Sequence, residues 1–435
     1  MPRATDARRL RSIVGGAAGN LVEWYDWYAY SACSLYFARV VFPPASQTAH
    51  LLDAAAVFAV GFFMRPVGGW LFGRYADRRG RRAALTRSVL LMGSGSLLVA
   101  LTPGYARVGM AAPALLVTAR LLQGLSVGGE YGASATYLSE MAGARRRGFW
   151  SSFQYVTLIA GQLLALGVLL VLQHALTPGQ LAAWGWRVPF VFGAAAALAV
   201  RVFRRGLDET PAFVGAGVAG APRRASLRAL AAYPRAVATV VGLTAGGTVA
   251  FYTFTTYAQK FLVNSAGWTA AAATRVSAAA LAVFALAQPL VGAISDRVGR
   301  RPVLVAFGVL GALLTVPLLD ALGTPGVGAG RAFGLLVAAL LVVSGYTAIN
   351  AVVKAELFPV EVRALGVGFP YAVAVAVFGG TAEYLALWAR QAGRERWYFW
   401  YVAACVAGSL VVYVRMPETQ GEWAGRKGVD GEGDG

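Results

Sequence analysis

Ionisable side chains stand inside long apolar stretches of this sequence, where burying a charge without a partner is costly. Glu23 and Asp26 lie three residues apart in the first stretch, so they share similar faces if that stretch is a helix. Arg65 lies in the second stretch, and Arg120 and Glu130 lie in the fourth. A carboxyl group that moves between an arginine and an apolar cavity binds and releases a proton, so these residues predict proton transfer.

Asp26 and Arg120 are the pair that depth along the helices favours. At a helical rise of about 1.5 Å per residue, Asp26 lies roughly 18 Å and Arg120 roughly 10 Å from the corresponding ends of their stretches. A long arginine side chain could close much of that gap. We therefore assign proton coupling to Asp26 with Arg120, and keep Glu23 and Glu130 as further candidates. The competing interpretation is a permanent ion pair that only fixes helix packing.

The composition places the chain among membrane proteins. Of its 435 residues, 57% are hydrophobic and 14% are charged, whereas soluble domains carry about 25% charged residues. The net charge of +19 comes from short basic clusters between apolar runs, not from a stripe or tail that would bind nucleic acid. Cys33 and Cys405 both lie in apolar runs, which excludes a disulfide framework and a cysteine zinc site.

Twelve apolar stretches are long enough to cross a bilayer, which takes roughly 20 residues in a helix. If the amino terminus is cytoplasmic, most of the 39 lysine and arginine residues fall in the connections on the cytoplasmic side. Cytoplasmic connections are enriched in these residues. The sequence therefore predicts an all-α, multi-pass membrane protein with both termini in the cytoplasm.

The chain is predicted to divide into two halves of six spans each. Its longest polar connection covers residues 204–235 and is predicted to be a cytoplasmic linker. The six-span halves are 1–203 and 236–416, and a short cytoplasmic tail follows at 417–435. Parallel repeats of six spans are typical of transporters.

One charged loop motif occurs in both halves, as G-R-Y-A-D-R-R-G-R-R at 73–82 and as G-A-I-S-D-R-V-G-R-R at 292–301. Its aspartate can accept hydrogen bonds from helix amino termini or from arginines when the cytoplasmic side is closed. The alternative is charge that only sets the topology. The predicted cytoplasmic gate consists of Asp77, Arg81, Arg82, Glu140 and Arg147 in the first half and Asp296, Arg300, Arg301, Glu356 and Arg363 in the second.

These motifs resemble those of the major facilitator superfamily. The repeated loop follows its G-x-x-x-D-R-x-G-R-R pattern, and R-L-L-Q-G at 120–124 is similar to its fourth-span motif. More narrowly, the stretches at 19–26, 64–69 and 184–190 resemble its metabolite:proton symporters. That family includes permeases for α-ketoglutarate, shikimate, citrate and proline or betaine.

Within that family, four stretches resemble the members that transport α-ketoglutarate, namely 31–37, 152–159, 251–260 and 353–359. The tail after Pro417 is short and glycine-rich, and it lacks the heptad-bearing extension that osmosensing proline/betaine members can carry. The resemblance covers nearly the whole chain. It implies the major facilitator fold, with twelve transmembrane helices in two pseudo-symmetric six-helix halves.

The resemblance also implies a function. A proton-coupled symporter would import a small dicarboxylate, with α-ketoglutarate as the first candidate, by alternating access. Asp26 and Arg120 occupy the positions that related proton-coupled sugar porters pair. The superfamily lines its central cavity with the first, fifth and seventh spans. The polar residues predicted to bind substrate there are Tyr25, Tyr28, Gln154, Gln162, Tyr252, Thr256 and Tyr257.

A dicarboxylate also needs cations. Arg65 is the first choice, because arginine binds a carboxylate through two parallel hydrogen bonds. Its alternative role is a permanent partner of Glu23 or Asp26. Lys260 and Lys354 could hold the second carboxylate, unless they extend to the membrane interface as lysines near span ends do.

Another substrate of the same family, such as shikimate, citrate or a betaine, is the nearest alternative. A channel or a transporter-like sensor is the alternative of a different class, but the sequence has no selectivity-filter segment and no sizeable soluble output domain. It has no P-loop pattern, and we expect no metal, nucleotide or covalent cofactor and no enzyme activity. We expect a monomer in the bacterial inner membrane. Its expected partners are a small carboxylate, protons and the lipid bilayer, with no nucleic acid.

Overall fold

The structure is a computed structural model that describes residues 3–79, 81–128, 146–205, 230–359 and 362–420. Within these ranges the chain forms helices and no β-strand, so the predicted all-α class is confirmed. We number the main helices in chain order: α1 Arg3–Val41, α2 Gln47–Arg79, α3 Arg81–Leu101, α4 Ala111–Val127, α5 Arg147–Ala175, α6 Val188–Arg205, α7 Pro234–Asn264, α8 Ala270–Val298, α9 Arg300–Leu322, α10 Ala329–Glu356, α11 Arg363–Gln391 and α12 Glu395–Arg415.

Most of these helices have the length and apolarity that a membrane crossing requires. In the described ranges nine helical segments are long and apolar enough to cross a bilayer, and Thr86–Leu101 and Ala111–Val127 are shorter apolar helices. The remaining helix, α1, has 39 residues. Helices form because the apolar interior of a bilayer offers no water, so each backbone polar group must be satisfied within its own segment.

The packing of the helices repeats between the two halves. In the first half, α1 packs against α5 and α6, α3 packs against α4 and α6, and α2 packs against α4. In the second half, α7 packs against α11 and α12, α9 packs against α10 and α12, and α8 packs against α10. The halves meet where α5 packs on α8 and α2 packs on α11. Most of the predicted 204–235 linker lies outside the described residues, so the domain boundaries stay a prediction.

Glycines allow α2 and α4 to approach closely. Gly124 lies against the carbonyl oxygen of Gly61, and Gly128 lies against the carbonyl oxygen of Arg65. A β-carbon at either position of α4 would overlap these backbone atoms, so this contact depends on glycine. The close approach positions Arg65 of α2 next to the helix that carries Arg120.

Two helices of the second half are interrupted just before an ionisable residue. A π-helical turn at Thr253–Tyr257 interrupts α7, and another at Val375–Gly379 interrupts α11. Lys260 follows the first turn, and Glu383 follows the second. Single π-turns inside α-helices are frequent at functional sites, because they rotate the residues that follow.

Candidate functional site

A buried carboxylate lies at the centre of a polar network in the first half. Asp26 of α1 is 1% exposed, and it accepts hydrogen bonds from the Ser96 hydroxyl of α3 and the Gln123 amide of α4. Gln123 in turn accepts a hydrogen bond of 2.7 Å from Nη1 of Arg120. The predicted pairing of Asp26 with Arg120 therefore takes the form of a bridge through Gln123, the glutamine of the R-L-L-Q-G motif.

Two buried arginines face aromatic rings next to this network. The guanidinium of Arg120 lies 3.7 Å from the ring centroid of Trp27 and 4.6 Å from that of Tyr30. The guanidinium of Arg65 lies 4.0 Å from the centroid of Phe62 and 4.4 Å from that of Trp27. Aromatic faces attract cations but accept few directed hydrogen bonds. Nε and Nη2 of both arginines have no hydrogen-bond partner among the described residues, which leaves donors for a carboxylate.

Sequence reasoning missed a buried ion pair in the second half. Nζ of Lys260 in α7 contacts Oε1 of Glu383 in α11, and the two side chains are 0% and 3% exposed. The hydroxyl of Ser31 in α1 accepts a 2.7 Å hydrogen bond from Lys260 and donates a 2.8 Å bond to Glu383. Glu383 carries a recognisable signal, because it is an acidic residue inside an apolar span, the criterion that selects Glu23 and Asp26.

Lys354 is also fully buried within α10 and does not extend to the membrane interface. Its Nζ donates a 2.8 Å hydrogen bond to Oδ1 of Asn350 and lies 3.8 Å from the ring centroid of Tyr371. The hydrogen bond and the cation–π contact hold the ammonium group inside the second half.

Two of the tyrosines proposed to bind substrate donate to backbone carbonyl groups. Tyr25 donates a 2.8 Å hydrogen bond to the carbonyl oxygen of Pro189 within the first half. Tyr28 donates a 2.5 Å bond to the carbonyl oxygen of Thr255, inside the π-turn of α7, and so links the two halves. The two hydrogen bonds place Tyr28 at the interface between the halves and Tyr25 away from it. The side chain of Gln154 in α5 is also buried.

The remaining polar residues predicted to bind substrate separate into two groups. The hydroxyl of Tyr257 donates a 3.3 Å hydrogen bond to Glu395, next to the connection between α11 and α12. Gln162 and Tyr252 are buried, and neither amide atom of Gln162 nor the hydroxyl of Tyr252 has a hydrogen-bond partner in the described part of the chain. Thr256 is buried within the π-turn of α7. Buried polar atoms without protein partners are candidates for hydrogen bonds to a ligand or to water.

The repeated motif of the second half contacts the first half. The carboxylate of Asp296 accepts hydrogen bonds of 2.8 and 2.9 Å from the backbone amides of Gly148 and Phe149. These amides belong to the first turn of α5, where a helix has unsatisfied donors and a partial positive charge. Nη1 of Arg300 lies 2.9 Å from the same carboxylate. Asp296 therefore joins the second half to the amino terminus of a helix of the first half.

The segment after α12 completes this contact region, and sequence reasoning missed it. Glu418 accepts hydrogen bonds of 2.9 and 3.0 Å from the backbone amides of Arg300 and Arg301 at the start of α9. Thr419 donates a 2.6 Å bond to Glu356, which lies 3.8 Å from Nε of Arg300. An acidic residue just beyond the last span is the signal for Glu418 in the sequence.

Several residues predicted for the gate or for proton coupling have other surroundings or lie outside the described residues. Nε of Arg363 donates to the carbonyl oxygens of Ala355 and Phe358, at 2.9 and 3.1 Å. Arg147 begins α5, and Glu23 is buried in α1. Glu130 and Glu140 lie outside the described residues, as do the side chains of Asp77, Arg81 and Arg82.

Replacing Asp296 by Asn is expected to slow transport several-fold and to favour the state that is open on the side of the motif loops. Asparagine keeps the size of the side chain but loses the charge that the amino terminus of α5 stabilises, typically by about 0.3–1 kcal/mol. Labelling of single cysteines placed on that side measures the shift. Asp320→Asn is the matched control, because Asp320 pairs with Arg396 in an exposed ion pair. Unchanged labelling and rate in Asp296→Asn would leave the motif with only a topogenic role.

Two pseudo-symmetric sets of membrane-spanning helices, with buried charges at their interface, define a membrane transporter with the major facilitator fold. The chain belongs to the sugar (and other) transporter family, whose model matches residues 13–219 and 222–423.

Known relatives of the chain are transporters. The chain is 54% identical over 409 residues to the alpha-ketoglutarate permease of Escherichia coli (strain K12), covering 94% of each chain. It is 33% identical over 376 residues to a citrate-proton symporter of Klebsiella pneumoniae, covering 86% of this chain and 83% of that one. The solved structure of the proton:xylose symporter XylE bound to 6-bromo-6-deoxy-D-glucose has the same fold, with a TM-score of 0.75 at 19% identity over 96% of this chain and 99% of that chain.

Proposed function

We propose that this protein is a proton-coupled symporter that imports a small dicarboxylate, and that the dicarboxylate is α-ketoglutarate. The observation that carries the proposal is the pair of buried arginines, Arg65 and Arg120, whose free donors lie beside the network of a buried carboxyl group, Asp26. Arginines with unused donors suit a carboxylate, and the carboxyl group of Asp26 suits a proton. The 54% identity to an alpha-ketoglutarate permease supports the choice of substrate.

Charge explains why substrate and protons move together. A dianion that enters against an inside-negative potential is opposed by about 2.3 kcal/mol per charge per 100 mV. Protons that enter with the dianion neutralise its charge, so the proton gradient can drive accumulation of the substrate. In alternating access, the two halves would rock about the site, with the Asp296 contact broken when the cytoplasmic side opens.

Uptake into proteoliposomes tests the substrate and the coupling together. With an inward proton gradient, the purified protein is expected to accumulate labelled α-ketoglutarate above equilibrium, and a protonophore should abolish the accumulation. Unlabelled α-ketoglutarate should compete more strongly than citrate, shikimate or betaine. Stronger competition by citrate would instead make citrate the substrate, as for the 33% identical citrate-proton symporter. Uptake that ignores the proton gradient would exclude proton symport.

We also infer that the protein resides as a monomer in the bacterial inner membrane, with both termini in the cytoplasm. The excess of basic residues in the connections on one side supports the orientation. A reporter that is active only in the cytoplasm, fused to the carboxyl terminus, is expected to be active. If the protein inserts but the fusion is inactive, the carboxyl terminus lies on the other side of the membrane and the proposed orientation is wrong.

A further inference from the structure

The Lys260–Glu383 ion pair lies where the two halves meet. Lys260 belongs to α7 and Glu383 to α11 of the second half, and Ser31 of α1 in the first half hydrogen-bonds both of them. Tyr28, three residues before Ser31, donates to the π-turn carbonyl of Thr255. Any movement of one half against the other therefore changes the surroundings of this pair.

Helix packing alone does not account for this pair. Two buried charges that only pack helices together are commonly no better than apolar side chains of similar volume. Ionisable groups within a membrane are costly and mark ion or substrate pathways. Each member of the pair follows closely on a π-turn, Thr253–Tyr257 in α7 and Val375–Gly379 in α11. Both helices thus depart from regular α-helix where they present these charges.

We propose that Glu383 is a second proton-binding carboxyl group, and that one carboxylate of the substrate replaces it on Lys260. The inference rests on the proposed function, because it requires a substrate with two carboxylates. When the substrate carboxylate contacts the Lys260 ammonium, the Glu383 carboxylate takes one proton from water and becomes a neutral acid. The positive charge of the ammonium is balanced by the Glu383 carboxylate before the exchange and by the substrate carboxylate after it. The net charge of the cluster therefore stays zero. On release of the substrate, Glu383 returns its proton to water and pairs with Lys260 again.

The arrangement assigns one carboxylate of the substrate to each half. Arg65 of α2 offers free donors in the first half, and Lys260 offers its ammonium in the second. A dicarboxylate that contacts both would connect the halves, as Ser31 does through its hydrogen bonds to Lys260 and Glu383. Asp26 and Glu383 would then supply one proton site in each half.

Other charged and titratable groups surround Glu383. On α2, which packs against α11, the ionisable residues Asp53 and Arg65 lie at the two ends of an apolar run at 54–64. The charged and titratable groups that act on Glu383 from the elements around it are Lys260 of α7, Tyr28 and Tyr30 of α1, Arg120 of α4 and Tyr398 of α12.

Proton uptake on substrate binding tests the inference. Purified protein in detergent and dilute buffer is mixed with α-ketoglutarate, and a pH indicator reports the protons taken up per substrate bound. The wild-type protein should take up protons, and Glu383→Gln should take up fewer, by as much as one per substrate. In proteoliposomes, Glu383→Gln should lose gradient-driven accumulation but keep exchange of internal for external substrate. Glu395→Gln is the matched control, because Glu395 pairs with Arg390 in a partly exposed ion pair outside the cluster.

The possible outcomes separate this inference from the proposed function. Wild-type protein that does not bind or accumulate α-ketoglutarate would contradict the proposed function. Wild-type protein that does both, with Glu383→Gln unchanged in proton uptake and accumulation, would overturn only the role of Glu383. If Glu383→Gln fails to insert, the neutral double variant Lys260→Met with Glu383→Gln replaces it. Wild-type accumulation by that double variant would show that the pair is structural and would also overturn the inference.

Discussion

Replacing Asp26 by Asn is expected to abolish accumulation of α-ketoglutarate driven by a proton gradient, while exchange across the membrane continues. Asparagine can still hydrogen-bond Ser96 and Gln123, the two partners of Asp26, but it cannot carry a proton. Each co-transported proton contributes about 2.3 kcal/mol per 100 mV, which is roughly a 50-fold concentration ratio. The loss should therefore be large, and time courses of labelled uptake in proteoliposomes measure it.

Asp53→Asn provides the control for this experiment. Asp53 lies in α2 of the same half but is exposed, and its replacement should leave accumulation unchanged. Full accumulation by Asp26→Asn would exclude Asp26 from proton coupling. Glu23, which is also buried in α1, would then be the candidate carboxyl group of this helix. Loss of both accumulation and exchange would indicate that the Asp26 network mainly supports the fold.

Replacing Arg65 by Lys is expected to raise the apparent KM for α-ketoglutarate by about 10- to 100-fold. Lysine keeps the charge but loses the planar arrangement of donors that binds a carboxylate. A hydrogen bond to a charged group contributes about 1.5–3 kcal/mol, which is about one to two factors of ten in affinity. The concentration dependence of initial uptake rates measures the change. Arg65→Ala should be nearly inactive although inserted, because it removes the charge as well.

Arg275→Lys is the matched control, since Arg275 of α8 is exposed and should tolerate lysine with no change in KM.

A second test distinguishes a role of Arg65 in substrate binding from a role in structure. If Arg65 serves only as a structural partner of Glu23, the double variant Glu23→Gln with Arg65→Gln removes both charges together and should recover transport. Recovery in the double variant would exclude Arg65 from the substrate site.

The sequence by itself determined the class of the protein and its membrane-spanning architecture. In a bilayer, the backbone must satisfy its own hydrogen bonds, so the length of each apolar stretch predicts a helix that crosses it. The repeated loop at 73–82 and 292–301 predicts two related halves, because it places the same charges between corresponding spans. The rarity of charge inside spans also selects Asp26, Arg65 and Arg120 as the residues of interest.

The tertiary structure alone decided which of these charges meet. Sequence spacing carries no information about partners on different helices, and Lys260 and Glu383 stand 123 positions apart. Gln123 separates Arg120 from Asp26 because the close packing of α4 on α2 and α1 sets the depth of each side chain. The sequence left open whether Lys260 and Lys354 extend to the membrane interface, and both are buried. Burial depends on the neighbouring helices and not on the distance to the end of a helix.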